Sequence, residues 1–485
     1  MANLDDHMSL YTQYLDKTGM QHKDYQYDGV KRCLHSELRI DPPCNVRGGF
    51  VADEMGLGKT IMMIGTFYAN PLKHTLIVLP PVIIEQWNAQ ITLTTGHKPL
   101  IYHGKNKLTT TLQDLLNNPI VITSYGAITL TKKQRENQNN TLTLLHQVQW
   151  DRIVFDEAHH LRNMNTSVNI SAKLLNSRIR WLVSGTLVQN SKRDFYALCS
   201  SLKLPASYYT DTDNLKHLAN NFILKRTKKQ VGIDIADLHI RNNAVQWTSA
   251  AEMRLAEEIH SELAFSNVSS LKSGNFIANL GHERGHKLTL MLKAKQSCIM
   301  PSLLKQYLHR DDANKYSEAF LNTSKLDSVV QKIIERKDNG AGKILFCNFR
   351  MEIDELFQRL TATGLLVAKV DGRTTVAKRN LILTQPNDVL IMQIQTGCEG
   401  LNLQDNYSEI YFVSPHWNPA VEDQAIARCH RIGQTKPVFV HRFQMTPFPS
   451  DTLGLKATVN IEKYTSRMQD IKRAIADETI TNTLT

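Results

Sequence analysis

The sequence predicts an α/β protein of two parallel-sheet lobes, with a helical insertion between them and a C-terminal helix. Three observations carry this. Short apolar runs rich in β-branched residues alternate with helical patterns, as parallel sheets with crossover helices require. The runs fall into two sets: Thr75–Leu79, Ile120–Thr123, Ile153–Asp156 and Trp181–Ser184, then Lys343–Cys347, Val367–Val370, Val389–Gln393, Glu409–Val413 and Val438–Arg442. Between the sets, Thr227 to Lys325 has helical periodicity and few strand signals, with Met253, Leu255, Ala256 and Ile259 apolar among charges. Near the end, Tyr464, Met468, Ile471 and Ile475 mark a helix whose apolar face should pack on a lobe. The Pro-, Ser- and Thr-rich segment Met445–Leu455 reads as a loop. The expected organisation is therefore an N-terminal segment 1–22, a first lobe 23–226, a helical insertion and linker 227–325, a second lobe 326–445, and a loop with a helix 446–485.

Length and composition bound the function. A chain of 485 residues is too long for one core, and 42% apolar with 21% charged residues excludes disordered and fibrous classes. Lys plus Arg number 57 against 46 Asp plus Glu; the net +11 suits a polyanion such as nucleic acid. No apolar stretch approaches the roughly 20 residues that span a bilayer. The start, Met1-Ala-Asn-Leu-Asp-Asp, lacks the basic and apolar regions of a secretory signal. Seven scattered Cys without a CxxC pair read as reduced thiols of an intracellular protein.

The strongest local signal is Asp53-Glu54-Met55-Gly56-Leu57-Gly58-Lys59-Thr60. The strict phosphate-loop pattern wants Gly where Asp53 stands, but the parts the mechanics need remain. Glycines let backbone N–H groups crowd phosphate oxygens, and the following apolar helix adds its N-terminal dipole. Lys59 can reach the β and γ phosphates, and Thr60 can ligate Mg²⁺. A Gly-rich turn capping an ordinary helix would explain this string alone. It does not predict the second element, an apolar strand ending in Asp156-Glu157-Ala158-His159. Open α/β sheets place chemistry at strand C-terminal ends. There Asp156 would hold Mg²⁺ through water, and Glu157 would orient and deprotonate an attacking water. Together the two elements point to nucleoside triphosphate hydrolysis.

These strings resemble the Swi/Snf-type ATPases of the superfamily-two helicases, whose further motifs follow in order. Tyr25-Gln26-x-x-Gly29 is similar to the glutamine motif that reads adenine, and Glu85-Gln-Trp87 and Thr123-Ser-Tyr125 resemble the next two. Ser184-Gly185-Thr186-Leu187-Val-Gln189-Asn190 resembles the motif coupling hydrolysis to lobe movement. Phe222 to Lys228 resembles the basic segment opening the insertion. Thr396-Gly-Cys398-Glu-Gly400 resembles the loop facing the γ-phosphate, and Gln424 to Gln434, with Arg428 and Arg431, is the most diagnostic string. The resemblance covers Lys23 to the last helix, and the chain's size suggests the compact viral members, among them the baculovirus global transactivators.

It implies two RecA-like lobes, ATP and Mg²⁺ as cofactors, duplex DNA held by its backbone across both lobes, no membrane, and a nuclear, if viral host-nuclear, location. The implied site is Lys59, Asp156, Glu157, Arg428 and Arg431 for catalysis, with Gln26, residues 53–60, Gly400 and Gln424 around the nucleotide. Arg431, and less directly Arg428, would reach the γ-phosphate when the lobes close; three residues apart, they would share a helix face. Leu187 replaces the usual Pro and Cys398 a usual Gly, changes that leave the reacting groups in place. The runs Lys132–Arg135 and Lys225–Lys229 read as solvated faces or DNA contacts, the second also as a nuclear-import signal. Trp417 is the aromatic expected nearest a DNA path. The leading expectation is a DNA-dependent ATPase translocating on duplex DNA and acting in transcription. A strand-separating helicase on DNA or RNA, and a non-catalytic DNA-binding scaffold, are the alternatives.

Overall fold

The computed structural model describes residues 3–136, 142–261, 263, 284–307, 314, 316–397, 401–448 and 459–484. The chain divides into two compact units, Met1–Asp234 with Lys472–Thr485, and Ile235–Ile471. In the first, strands β1 (Arg47–Val51), β2 (Thr75–Leu79), β3 (Leu100–Tyr102), β4 (Ile120–Ser124), β5 (Gln149–Asp156), β6 (Asn176–Val183) and β7 (Ile223–Leu224) pair in parallel in the order β3-β4-β2-β5-β6-β1-β7. In the second, β8 (Leu238–Val245), β9 (Gly342–Cys347), β10 (Val367–Val370), β11 (Val389–Gln393), β12 (Tyr407–Phe412) and β13 (Val438–Met445) pair in parallel in the order β10-β11-β9-β12-β13-β8.

The central strands of both sheets are buried on both faces, which is why they read as continuous apolar runs. Along β2, Leu76 and Val78 enter one core while Ile77 and Leu79 enter the other. In the second unit Leu345 and Cys347 of β9 face one core, and Ile344 and Phe346 the opposite one. The segment before the first lobe is a helix, Leu4–Thr18, whose Tyr11 and Tyr14 are buried with helix Lys59–Ala69 in the first unit's second core. Among the described cysteines, Cys33, Cys199, Cys298, Cys347 and Cys429 are buried and Cys44 is exposed, all as free thiols. No helix among the described residues is long and apolar enough to cross a membrane.

The structure departs from the sequence reading in several places, the short strands β3 and β7 among the elements not expected. Strand β1 was not predicted, because Gly48 and Gly49 erase its apolar signal; Gly48 has φ 101°, and a Cβ there would lie 1.8 Å from the Arg180 carbonyl oxygen. Strand β8 lies inside the stretch read as helical; it is a largely exposed sheet edge of polar residues, so no buried run announces it. The last helix, Ile461–Leu484, buries Tyr464 and Met468, yet Ile471 is exposed and Lys472 buried, so the apolar spacing does not mark the whole packed face. Strand β13 continues through Met445, and most of the loop expected after it lies outside the described residues.

Candidate active site

Register brings the first unit's motifs together. Val51 pairs with Val183, which pairs with Asp156, so β1, β6 and β5 end level with one another. Leu79 pairs with Ser124, one step beyond the Val78–Phe155 pair, so β2 and β4 end in the same row. At about 4.8 Å per strand, the phosphate loop after β1 and the acids after β5 stand about 10 Å apart. Ser184, after β6, lies between them, its N–H donating to the Val51 carbonyl at 3.1 Å.

The phosphate loop is braced from three sides. Gly58, at φ 80°, caps helix Lys59–Ala69, and a Cβ there would sit 2.5 Å from Gln26 Nε2. Gln26 Nε2 donates to the Leu57 carbonyl at 3.2 Å, which ties the glutamine motif to the loop. Lys59 Nζ donates to the carbonyls of Asp53 at 2.8 Å and Glu54 at 3.4 Å, acceptors that phosphate oxygens can replace. Thr60 is the helix's second residue and half-buried. Gly185 lies against Met55, and Ser184 Oγ accepts the Thr186 N–H at 3.2 Å, so the coupling segment borders the loop. Arg162, just past the Asp156–His159 string, hydrogen-bonds Gln189 Oε1, linking that string to the coupling segment. Leu187 is buried in the core beside this turn.

Asp156 ends β5, and its carboxylate is pinned at both oxygens. Oδ1 accepts the Glu157 N–H at 2.9 Å and Oδ2 accepts Trp87 Nε1–H at 2.7 Å. Burial, then the adjacent Glu157 charge, push its carboxyl above the ordinary range, opposed by the Trp87 and Glu157 N–H bonds and by Lys59. Glu157 is left-handed at φ 50° and ψ 49°, a strained conformation for a residue with a Cβ. The Tyr125 hydroxyl donates to the Asp156 carbonyl at 2.8 Å, and His159 Nδ1 lies 3.3 Å from Glu157 Oε2. Ala158 is fully buried behind the pair. Two of the four lone-pair sites of the Asp156 carboxylate are taken by these donors. With the Thr60 hydroxyl this is a hard-oxygen donor set that fits Mg²⁺.

The sequence reading did not assign Trp87, Tyr125 or Arg226 to the site. Arg226 donates to Asp53 Oδ1 at 3.1 Å and Oδ2 at 2.5 Å, hydrogen-bonds the Tyr25 carbonyl and lies over the Tyr25 ring. Lys228 pairs with Glu54 at 3.1 Å. Gly29 makes room for this, since a Cβ there would lie 2.9 Å from Arg226 Nη2. Arg226 and Lys228 of the Lys225–Lys229 run thus turn inward to brace the loop, while Lys229 stays exposed. Only the spacing of Arg226 from Asp53, 173 positions away, stood between sequence and this assignment, and no local pattern spans it.

In the second unit, Gln424 is buried in helix Pro419–Ile426. That helix ends before Arg428 and Arg431, so the two arginines lie in the following turns and share no helix face. Arg431 hydrogen-bonds Asn402 Oδ1, its guanidinium lowered in pKa by burial and then by the Arg428 charge. Gly400 and Cys398 fall outside the described residues. Trp417 is 40% exposed and stacks on Tyr464 at 6.0 Å between centroids.

A phosphate loop two strands from an acid pair, on a buried parallel sheet, defines a nucleoside triphosphate hydrolase of the helicase kind. Residues 25–303 match the SNF2-related domain and residues 324–433 the helicase conserved C-terminal domain. The chain belongs to the SNF2-related family and is an ATP hydrolase. It is 27% identical over 486 residues to the "Probable global transactivator" of Orgyia pseudotsugata multicapsid polyhedrosis virus, covering 95% of this chain and 91% of that one. It is also 27% identical over 460 residues to an "Uncharacterized ATP-dependent helicase" of Mycoplasma pneumoniae, covering 87% of this chain but 39% of the relative. Among solved structures, the Pyrococcus furiosus Hef helicase domain shares the fold at a TM-score of 0.53 and 15% identity, over 88% of this chain and 96% of that one.

Proposed function

We propose that this protein is a duplex-DNA translocase that hydrolyses ATP to move or displace DNA-bound proteins, acting as a transcription regulator inside the cell, in the host nucleus if viral. The observation that carries the reading is the level row of strand ends, which sets Lys59, Ser184, Asp156 and Glu157 around one space. In this reading Gln26 reads adenine, residues 53–60 cradle the phosphates, and Thr60 and Asp156 hold Mg²⁺. Magnesium, when bound, neutralises charge on the β and γ phosphates. Glu157 takes the proton of the attacking water, and the Ser184–Gln189 segment transmits the nucleotide state. Arg428 and Arg431 stabilise the γ-phosphate on lobe closure, with Gly400 and Gln424 lining the second lobe's side. The name of the viral relative, whose length this chain nearly spans, supports the transcriptional role.

Duplex DNA, held through its phosphates, is the proposed substrate track, consistent with the +11 charge. The test compares ATPase rate without nucleic acid and with single-stranded DNA, duplex DNA or RNA. Duplex DNA is expected to stimulate most, with a log–log salt slope near −0.9 per phosphate contact. The motor should also strip a third strand from a triplex and leave a forked duplex paired. ATP-dependent unwinding of the fork without triplex displacement would replace this reading with a strand-separating helicase.

A further inference from the structure

We infer that Trp87 is a positioning residue for the metal-side carboxylate, its indole N–H fixing the plane in which Asp156 presents oxygen to the cation. The inference rests on the proposed role of Asp156 in holding Mg²⁺. Helix Ile84–Thr95 begins five residues after β2 ends, in the row of strand ends that carries the site. Trp87 is 1% exposed and packed in one core with Ile83, Ile84 and Ile91, so its ring cannot follow a moving partner. Its N–H meets Asp156 Oδ2 at 2.7 Å.

A buried indole needs some acceptor, and elsewhere in this chain a backbone carbonyl serves: Trp150 donates to Leu145 and Trp247 to Thr446. Trp181 donates to Glu37, a carboxylate that Arg152 already pairs. Trp87 alone among these four gives its proton to a carboxylate at the nucleotide site. An indole is a donor only, so it permanently occupies one lone pair of Oδ2. The Glu157 N–H occupies one of Oδ1 at 2.9 Å. With a donor on each oxygen the carboxylate's rotation is restrained, which leaves one lone pair of each oxygen in a set orientation for the cation or its waters. Outer partners of this kind set the orientation of metal ligands.

The test uses the full chain with Trp87→Phe, and with benzothienylalanine at the same position, which keeps the bicyclic shape but puts sulfur in place of N–H. Mn²⁺ binding is read by electron paramagnetic resonance with a non-hydrolysable ATP analogue, alongside nucleotide binding in chelator and thermal melting. Mn²⁺ affinity should fall about 10–100-fold in both variants, while metal-free nucleotide binding and the benzothienyl variant's melting stay at the parent's values. Mn²⁺ affinity within about twofold of the parent in both variants, with Asp156→Asn losing it, would overturn the role of Trp87 and leave the metal site standing. Parent-like Mn²⁺ binding by Asp156→Asn would overturn the metal assignment itself, and the inference with it.

Discussion

Removing the Arg226 guanidinium should unseat the phosphate loop, and the structure sets the scale of the loss. The Asp53 side chain is fully buried and Arg226 only 18% exposed, so neither partner can turn to water when the other is lost. Arg226→Ala deletes two hydrogen bonds to Asp53 and one to the Tyr25 carbonyl. Breaking a buried pair from one side costs about 3–5 kcal/mol, because the remaining charge is stranded. For a unit of this size each kcal/mol is about 2–4 °C, so melting should fall by about 6–20 °C. Deleting both charges strands neither, so Asp53→Leu with Arg226→Met should recover most of that loss. The loop that carries the Lys59 ligating carbonyls would still be unbraced, and ATP affinity should stay low in the double variant. Calorimetric melting of the parent, the single variants and the double variant closes a mutant cycle, with nucleotide titration run on each. A fall below about 2 °C for Arg226→Ala would show that solvent reaches Asp53 after all and refute the reasoning.

Three shorter predictions accompany it. Glu157→Gln should bind ATP as the parent does and lose turnover, because an amide cannot accept the water's proton; near-parent turnover in a stopped assay would remove Glu157 from that role. Gly58→Ala should weaken ATP binding, since the new Cβ meets Gln26 Nε2 at 2.5 Å in a left-handed position; a titration matching the parent would contradict the crowding. His441 is buried, stacked on Tyr411 at 4.7 Å, and neither ring nitrogen has a partner among the described residues. Burial, against the nearby Glu409 charge and with Arg336, lowers its pKa from 6.5 to about 4. The unfolded chain therefore binds the extra proton between those values, so this contribution is intact above pH 6.5 and is lost as pH falls toward 4. The loss is on the order of 3 kcal/mol. His441→Phe should flatten the second unit's acid melting curve relative to the parent, and an unchanged slope would exclude His441 as its source.

By itself the sequence determined the parallel-sheet architecture and marked the candidate site residues. Strands buried on both faces leave continuous apolar runs, which is why Thr75–Leu79 and Val389–Gln393 were legible to the residue. Lys59, Thr60, Asp156 and Glu157 stood out as candidates because phosphate and water chemistry call for particular residue types within a few positions of one another. What tertiary structure decided lies where the partner is remote or the side chain small. Strand β1 exists because β6 and β7 flank two glycines on which no Cβ would fit, information carried by Arg180 and Phe222 and not by residues 47–51. Arg226 looked like one cation in a solvated run until the fold set it on Asp53, 173 residues earlier. Trp87 stood in a motif without a role of its own until its N–H met Asp156, 69 residues later. Hydrogen-bond partners separated by whole strands and helices leave no period in the chain, so only the register of the sheet could reveal them.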